Sequence, residues 1–130
     1  MTKSWTIIAG LYGFLAVAFG AFAAHGLQDA VSERSLHAVQ TGAAYALAHA
    51  VALLALAAIG ARGGRMITFA GWAFTLGVAL FSGSLFVFGL TDFSTAAGPL
   101  PLITPLGGVM LLVGWVMVFA AGLAGAQSTD

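Results

Sequence analysis

The chain has 130 residues, of which 61% are hydrophobic and 6% charged, with four Lys/Arg, four Asp/Glu and no cysteine. A soluble domain of this size carries roughly 25% charged residues, so eight charges exclude a soluble globular fold. The balanced net charge and the lack of a basic patch exclude nucleic-acid binding. Without cysteine there is no disulfide, thiolate metal site, CxxC redox motif or Cys nucleophile.

Four apolar runs are long enough to cross a ~30 Å hydrocarbon core as helix. The first spans residues 5–24, from Trp5 to Ala24. Lys3, the apolar run and Ala21-Phe22-Ala23 imitate a signal peptide with an A-x-A site, but the run is long for an h-region. The second spans residues 33–59 and opens with Ser32 as N-cap and Glu33 in the first turn, both favourable at a helix N-terminus. Gly60-Ala61-Arg62-Gly63-Gly64-Arg65 then breaks the chain. The third spans residues 66–90. Thr91 to Pro101 reads as a loop with two prolines, and Thr104-Pro105 reads as the N-cap and first residue of a fourth span over residues 105–125. Continuous apolar runs exclude alternating membrane strands. The expected fold is therefore all-α: one four-span membrane domain, an integral membrane four-helix bundle.

Charge sets the orientation. With four spans, both termini and the central loop share a side, and that side carries Lys3, Arg62 and Arg65. The opposite side carries Arg34, Asp29, Glu33 and Asp92. By the positive-inside rule the N and C termini are cytoplasmic. Trp5 sits where an interfacial aromatic is expected, whereas Trp72 and Trp115 lie inside their spans and suggest packing or a site.

Helices in lipid associate through small residues rather than hydrophobic force. Gly13 and Gly20 lie seven apart on the first span, Gly107 and Gly114 seven apart on the fourth. These rows mark expected packing faces.

Ionisable groups within spans are costly and are the default candidates for a site. His49 lies about 24 Å along the second span at ~1.5 Å per residue. Gly42, Tyr45 and His49 share one face, with Gln40 opposite and His37 about 120° away. His25 ends the first span. Ser82 and Ser84 flank Gly83 and could line a polar cavity, although serine also bonds back to its own helix. His49 reads either as a neutral imidazole bonding a neighbouring helix or as a proton- or ligand-handling group. No HxxxH, HExxH or carboxylate cluster favours a metal, and no catalytic constellation is present.

Several segments carry a family resemblance. Gly20-Ala21-Phe22-Ala23-Ala24-His25-Gly26-Leu27 resembles the GAFGAHGL signature of a small, uncharacterised family of four-span membrane proteins. That family includes bacterial YgdD- and YwdK-like proteins and small eukaryotic transmembrane relatives. Gln40-Thr41-Gly42 with Tyr45 and His49, Leu80 to Leu85, and Thr104-Pro105-Leu106-Gly107-Gly108 with Gly114-Trp115 are similar to its other motifs. Ala23 departs from a glycine, Ala46 from a glutamine and Phe86 from a tyrosine common in the family. The resemblance implies a four-helix membrane protein without an assigned activity. It marks His25, Tyr45, His49, Ser82, Ser84, Thr104, Pro105 and Trp115 as the positions to test.

The expected function is non-enzymatic, needs no cofactor or metal, and rests on assembly in the lipid bilayer, as a homo-oligomer or an accessory subunit beside other membrane proteins. A small-solute or proton-linked carrier or channel, and a haem- or quinone-binding redox subunit using His25, His37 or His49, are the alternatives.

Overall fold

The structure, a computed structural model, describes residues 2–94 and 98–126. Among them are four long helices: α1 (Thr2–His25), α2 (Glu33–Ile59), α3 (Gly64–Leu90) and α4 (Leu100–Ala126), with a single 3-10 turn, Gly60–Gly63, between α2 and α3. All four are long and apolar enough to cross a membrane, and no described residue forms a strand. At ~1.5 Å per residue each exceeds the thickness of a hydrocarbon core.

The ends have local causes. Ser32 caps α2, its hydroxyl accepting from the Ser35 N–H at 3.3 Å. Gly60 closes α2 at φ +57°, its N–H donating to the Leu56 carbonyl, and Gly64 opens α3 at φ +66°. Both conformations suit glycine alone at little cost. At the other end of α3, Asp92 and Phe93 adopt φ +47° and +61° without being glycine. The strain, of order 1 kcal/mol or more per residue, is opposed by specific contacts. Phe93 stacks on Phe88 with ring centroids 5.2 Å apart, and the Arg34 guanidinium lies 4.0 Å over the Phe93 ring.

Helix α4 begins at Leu100, five residues before the start expected at Pro105. Pro101 occupies the first turn, where a missing N–H costs nothing. Pro105 lies within the helix and removes one hydrogen bond. Thr104 is thus a helical residue facing α3 rather than a cap. Of the expected loop, residues 95–97 lie outside the described residues, as does Asp130.

The helices pack in chain order: α1 on α2, α2 on α3, α3 on α4, with α1 touching α3 only lightly. The two central helices carry most of the burial. In their most apolar windows 44% of α2 and of α3 is buried, against 17% of α1 and of α4.

The seams are built from small residues, as close approach in lipid demands. On α1 the buried row is Ala9, Ala16 and Ala23, spaced by seven. Gly13 and Gly20 flank it and face Ala50 and Ala43 of α2 at ordinary contact distance. The α3–α4 seam is tighter. A Cβ on Gly107 would collide with the Phe81 backbone, and one on Gly114 with the Phe74 ring. Phe81 and Phe74 are themselves seven apart, so two antiparallel helices meet knob to hole in matching register. Between α2 and α3, Gly42 receives Phe86 and Gly89 receives Val39.

Trp5 corrects an expectation. It is 1% exposed rather than interfacial, with its ring on Gly71 of α3. Its indole N–H is buried without a hydrogen-bond partner. Trp72, for which packing or a site was expected, is exposed.

Candidate functional site

The polar groups of the spans fall into separate clusters. The most developed is built on His49. One helical turn separates it from Tyr45, which brings the imidazole Nδ1 within 2.7 Å of the Tyr45 carbonyl. From α4, the Trp115 indole Nε1 reaches the imidazole Nε2 at 3.1 Å. These two partners define the tautomer. A carbonyl only accepts, so Nδ1 carries the proton and donates it. An indole N–H only donates, so Nε2 is bare and accepts. His49 is therefore a neutral imidazole satisfied on both nitrogens, linking α2 to α4. It is buried, with the Phe74 ring edge-on at 5.2 Å and the Trp115 ring at 6.0 Å.

This arrangement limits the chemistry. A haem iron or metal ion needs a free ring nitrogen, and His49 offers one only if Trp115 lets go. Protonating Nε2 would set two donors against each other and break the same bond. Among the described residues no three His, Cys, Asp or Glu cluster as metal ligands would.

Tyr45 departs from the expected inward stripe. Gly42 and His49 are buried, but Tyr45 is 45% exposed. Its ring leans on Phe81 with centroids 4.6 Å apart. Its hydroxyl has no hydrogen-bond partner among the described residues. Tyr45, His49, Phe81, Leu111, Leu112 and Trp115, with Gly108, line a recess of about 400 Å³ between α2 and α4. A second recess of about 510 Å³ lies toward the other end of α2, lined by Glu33, Arg34, His37, Thr41, Phe81 and Leu85 among others. This second recess lies between α2 and α3, and Phe81 of α3 borders both.

The serines go elsewhere. Ser84 donates to the Phe81 carbonyl or shares a proton with Thr104, at 2.9 and 2.6 Å, and so ties α3 to α4. Ser82 is buried with an unpartnered hydroxyl. It lines a different cavity, of about 210 Å³, with Tyr12, Ala46 and Phe86. His25 is exposed at the end of α1, and His37 is exposed with its Nδ1 3.0 Å from the Thr41 hydroxyl. The expected set is thus not brought into one cavity.

Two polar links have no counterpart in the sequence reading. The Tyr12 hydroxyl donates to the Thr75 carbonyl at 2.6 Å, joining α1 to α3. The carboxylate of Asp92 gathers the start of α2: it accepts from the Ser32 N–H at 3.1 Å, the Ser32 hydroxyl at 2.5 Å and the Ser35 hydroxyl at 2.6 Å. The Ser32 hydroxyl, first, then the Ser35 hydroxyl and the Ser32 N–H favour the ionised form and hold the Asp92 carboxyl below its usual range. The signal for the second link was the S-x-x-S spacing of Ser32 and Ser35. Its partner lies 60 residues on, beyond the reach of local pattern. Phe86, where the family often has tyrosine, stacks on Phe19 with centroids 4.1 Å apart, and Ala46 is buried in the core.

Comparison with known proteins agrees with this architecture. A family model described as a protein of unknown function, DUF423, matches residues 19–108. The chain is 37% identical to the UPF0382 membrane protein YwdK of Bacillus subtilis, covering 93% of this chain and 97% of that protein. It is 36% identical to a UPF0382 membrane protein of Staphylococcus aureus, over 92% and 94% of the two chains. A UPF0382 membrane protein of Haemophilus influenzae is 34% identical over 89% and 90%. No solved structure matches. A four-helix membrane architecture, the shared motifs and full-length similarity converge: the chain belongs to the DUF423/UPF0382 family of membrane proteins.

Proposed function

We propose that the protein is a non-enzymatic membrane bundle that acts by assembly, with copies of itself or with other membrane subunits, in the bacterial plasma membrane with both termini cytoplasmic. The observation that carries this reading is the α2–α4 cleft. Its walls come from three helices: Tyr45 and His49 of α2, Phe81 of α3, and Gly108, Leu111, Leu112 and Trp115 of α4. At its mid-depth stands the Tyr45 hydroxyl, without a partner among the described residues. A polar group facing hydrocarbon without a hydrogen bond costs free energy, and a helix laid into the cleft would cover the apolar walls and meet that hydroxyl.

The membrane character is shared with the named relatives, and the orientation rests on Lys3, Arg62 and Arg65 at one end. The carrier reading asked Tyr45, His49, Ser82 and Ser84 to line one cavity. They are divided between two recesses and a hydroxyl pair, and the His49 nitrogens are both engaged.

The test is photo-crosslinking in native membranes from a probe placed at Leu112, in the cleft, and at Phe14, on the exposed face of α1. Assembly through the cleft gives a discrete protein adduct from Leu112 and none from Phe14. Lipid adducts alone from both positions contradict it.

A further inference from the structure

At the end of the molecule opposite Asp92, the α2–α3 turn and the last turns of α4 enclose a second groove, of about 660 Å³. Its mouth carries Arg62 and Arg65, both exposed, and its walls are apolar: Ile67 from α3 and Val118, Ala121 and Gly122 from α4 among them. The two left-handed glycines, Gly60 and Gly64, turn the chain sharply enough to bring both arginines to this one mouth. The N-cap position of α3, Gly63, supplies no side-chain hydrogen bond.

Charge is distributed unevenly along the bundle. The acids Asp29, Glu33 and Asp92 all lie at the opposite end, where Asp92 binds Ser32. Lys3, Arg62 and Arg65 share the end where Gly60 adjoins Thr2. Arg62 and Arg65 form no ion pair among the described residues. Two cations at the rim of an apolar groove, at the level where helices leave the hydrocarbon, match one chemistry: a phosphate at the mouth with an acyl chain below it.

From this charge complementarity we infer that the groove is a binding site for an anionic phospholipid, the phosphate held between Arg62 and Arg65 and a chain lying along Ile67 and Val118. The volume is far larger than a bare ion requires. Ala121 and Gly122 keep the α4 wall shallow: a Cβ built on Gly122 meets nothing within 4 Å. Arginine suits the site because its planar fork can bind two phosphate oxygens at once.

The experiment is native mass spectrometry of the full chain released from detergent containing equal amounts of phosphatidylglycerol and phosphatidylcholine with identical chains. The wild type retains phosphatidylglycerol preferentially. Arg62→Gln and Arg65→Gln each lower that preference about fivefold, as a basic group near a lipid surface contributes, while Lys3→Gln leaves it unchanged. Gly122→Leu, which fills the groove without altering charge, lowers retention of phosphatidylglycerol too. Helical circular dichroism confirms that each variant is folded. Equal retention of the two lipids by the wild type, or a signal flat across all variants, overturns the proposal. So does a loss with Lys3→Gln as large as with Arg62→Gln, which would mean diffuse attraction. Displacement by millimolar inorganic phosphate would identify a free-phosphate site and overturn the lipid as occupant.

Discussion

The Trp115–His49 bond is the clearest residue-scale feature, because its geometry leaves one tautomer. Trp115→Phe keeps an aromatic side chain but removes the donor and part of the indole's bulk, leaving Nε2 bare inside the bundle. A loss of about 0.6–1.7 kcal/mol is expected from the hydrogen bond, from the average to the largest value measured for interhelical hydrogen bonds in membranes, read by reversible unfolding in mixed micelles. Ser82→Ala makes the opposite case. Its hydroxyl is buried without a partner, so its removal should be neutral or stabilising in the same assay. The pH dependence belongs to Asp92. Its folded carboxyl titrates below the unfolded value of about 3.9. Its contribution is therefore complete above that value and is lost as pH falls through the lower folded one. Unfolding followed from about pH 6 to about pH 3 should show this loss, and Asp92→Asn should flatten it. Legibility at this scale was uneven. That His49 shares a buried face with Gly42 followed from 3.6-residue spacing, whereas its bond to the Tyr45 carbonyl of its own helix did not. Nor did Trp115 as its donor, because matching depths on two non-adjacent helices requires knowing where α4 begins, and Leu100 rather than Pro105 begins it. Trp5 was misread for a related reason: its sequence position is interfacial, but Gly71 leaves a hollow that draws the ring inward.

At the scale of elements, the two glycine rows looked equivalent in sequence and are not in space. Gly13 meets Ala50 at 4.0 Å, so Gly13→Ala fits and should be neutral or stabilise α1 by up to about 1 kcal/mol through helix propensity. Gly107 meets the Phe81 backbone, and backbone cannot rotate away. Gly107→Ala must push α3 and α4 apart, at a cost of about 1–3 kcal/mol typical of overpacking. Unfolding both variants side by side tests the distinction. Heptad spacing reveals which residues share a face, whereas the partner's bulk decides whether a glycine is a hole or merely small. The helices themselves were legible because hydropathy alone marks a span. The start of α4 was not: Thr104-Pro105 carries a strong cap signal, but Pro101 tolerates an earlier start and Thr104 gains the Ser84 hydroxyl.

For the whole molecule, chain-order packing is the consequential feature. Helix count could be read from the apolar runs, and the end-to-end charge asymmetry from where the few charges fall between them. The order could not, since apolar faces are interchangeable in lipid and only the small-residue register selects neighbours. That order leaves the α2–α4 cleft open at Tyr45 and places Arg62 and Arg65 over a separate groove. If the cleft receives another helix, a photo-crosslinking probe at Leu112 in native membranes gives one discrete protein adduct that is absent from a probe at Phe14. Lipid adducts alone, or the same adducts from both positions, would mean that no helix occupies it.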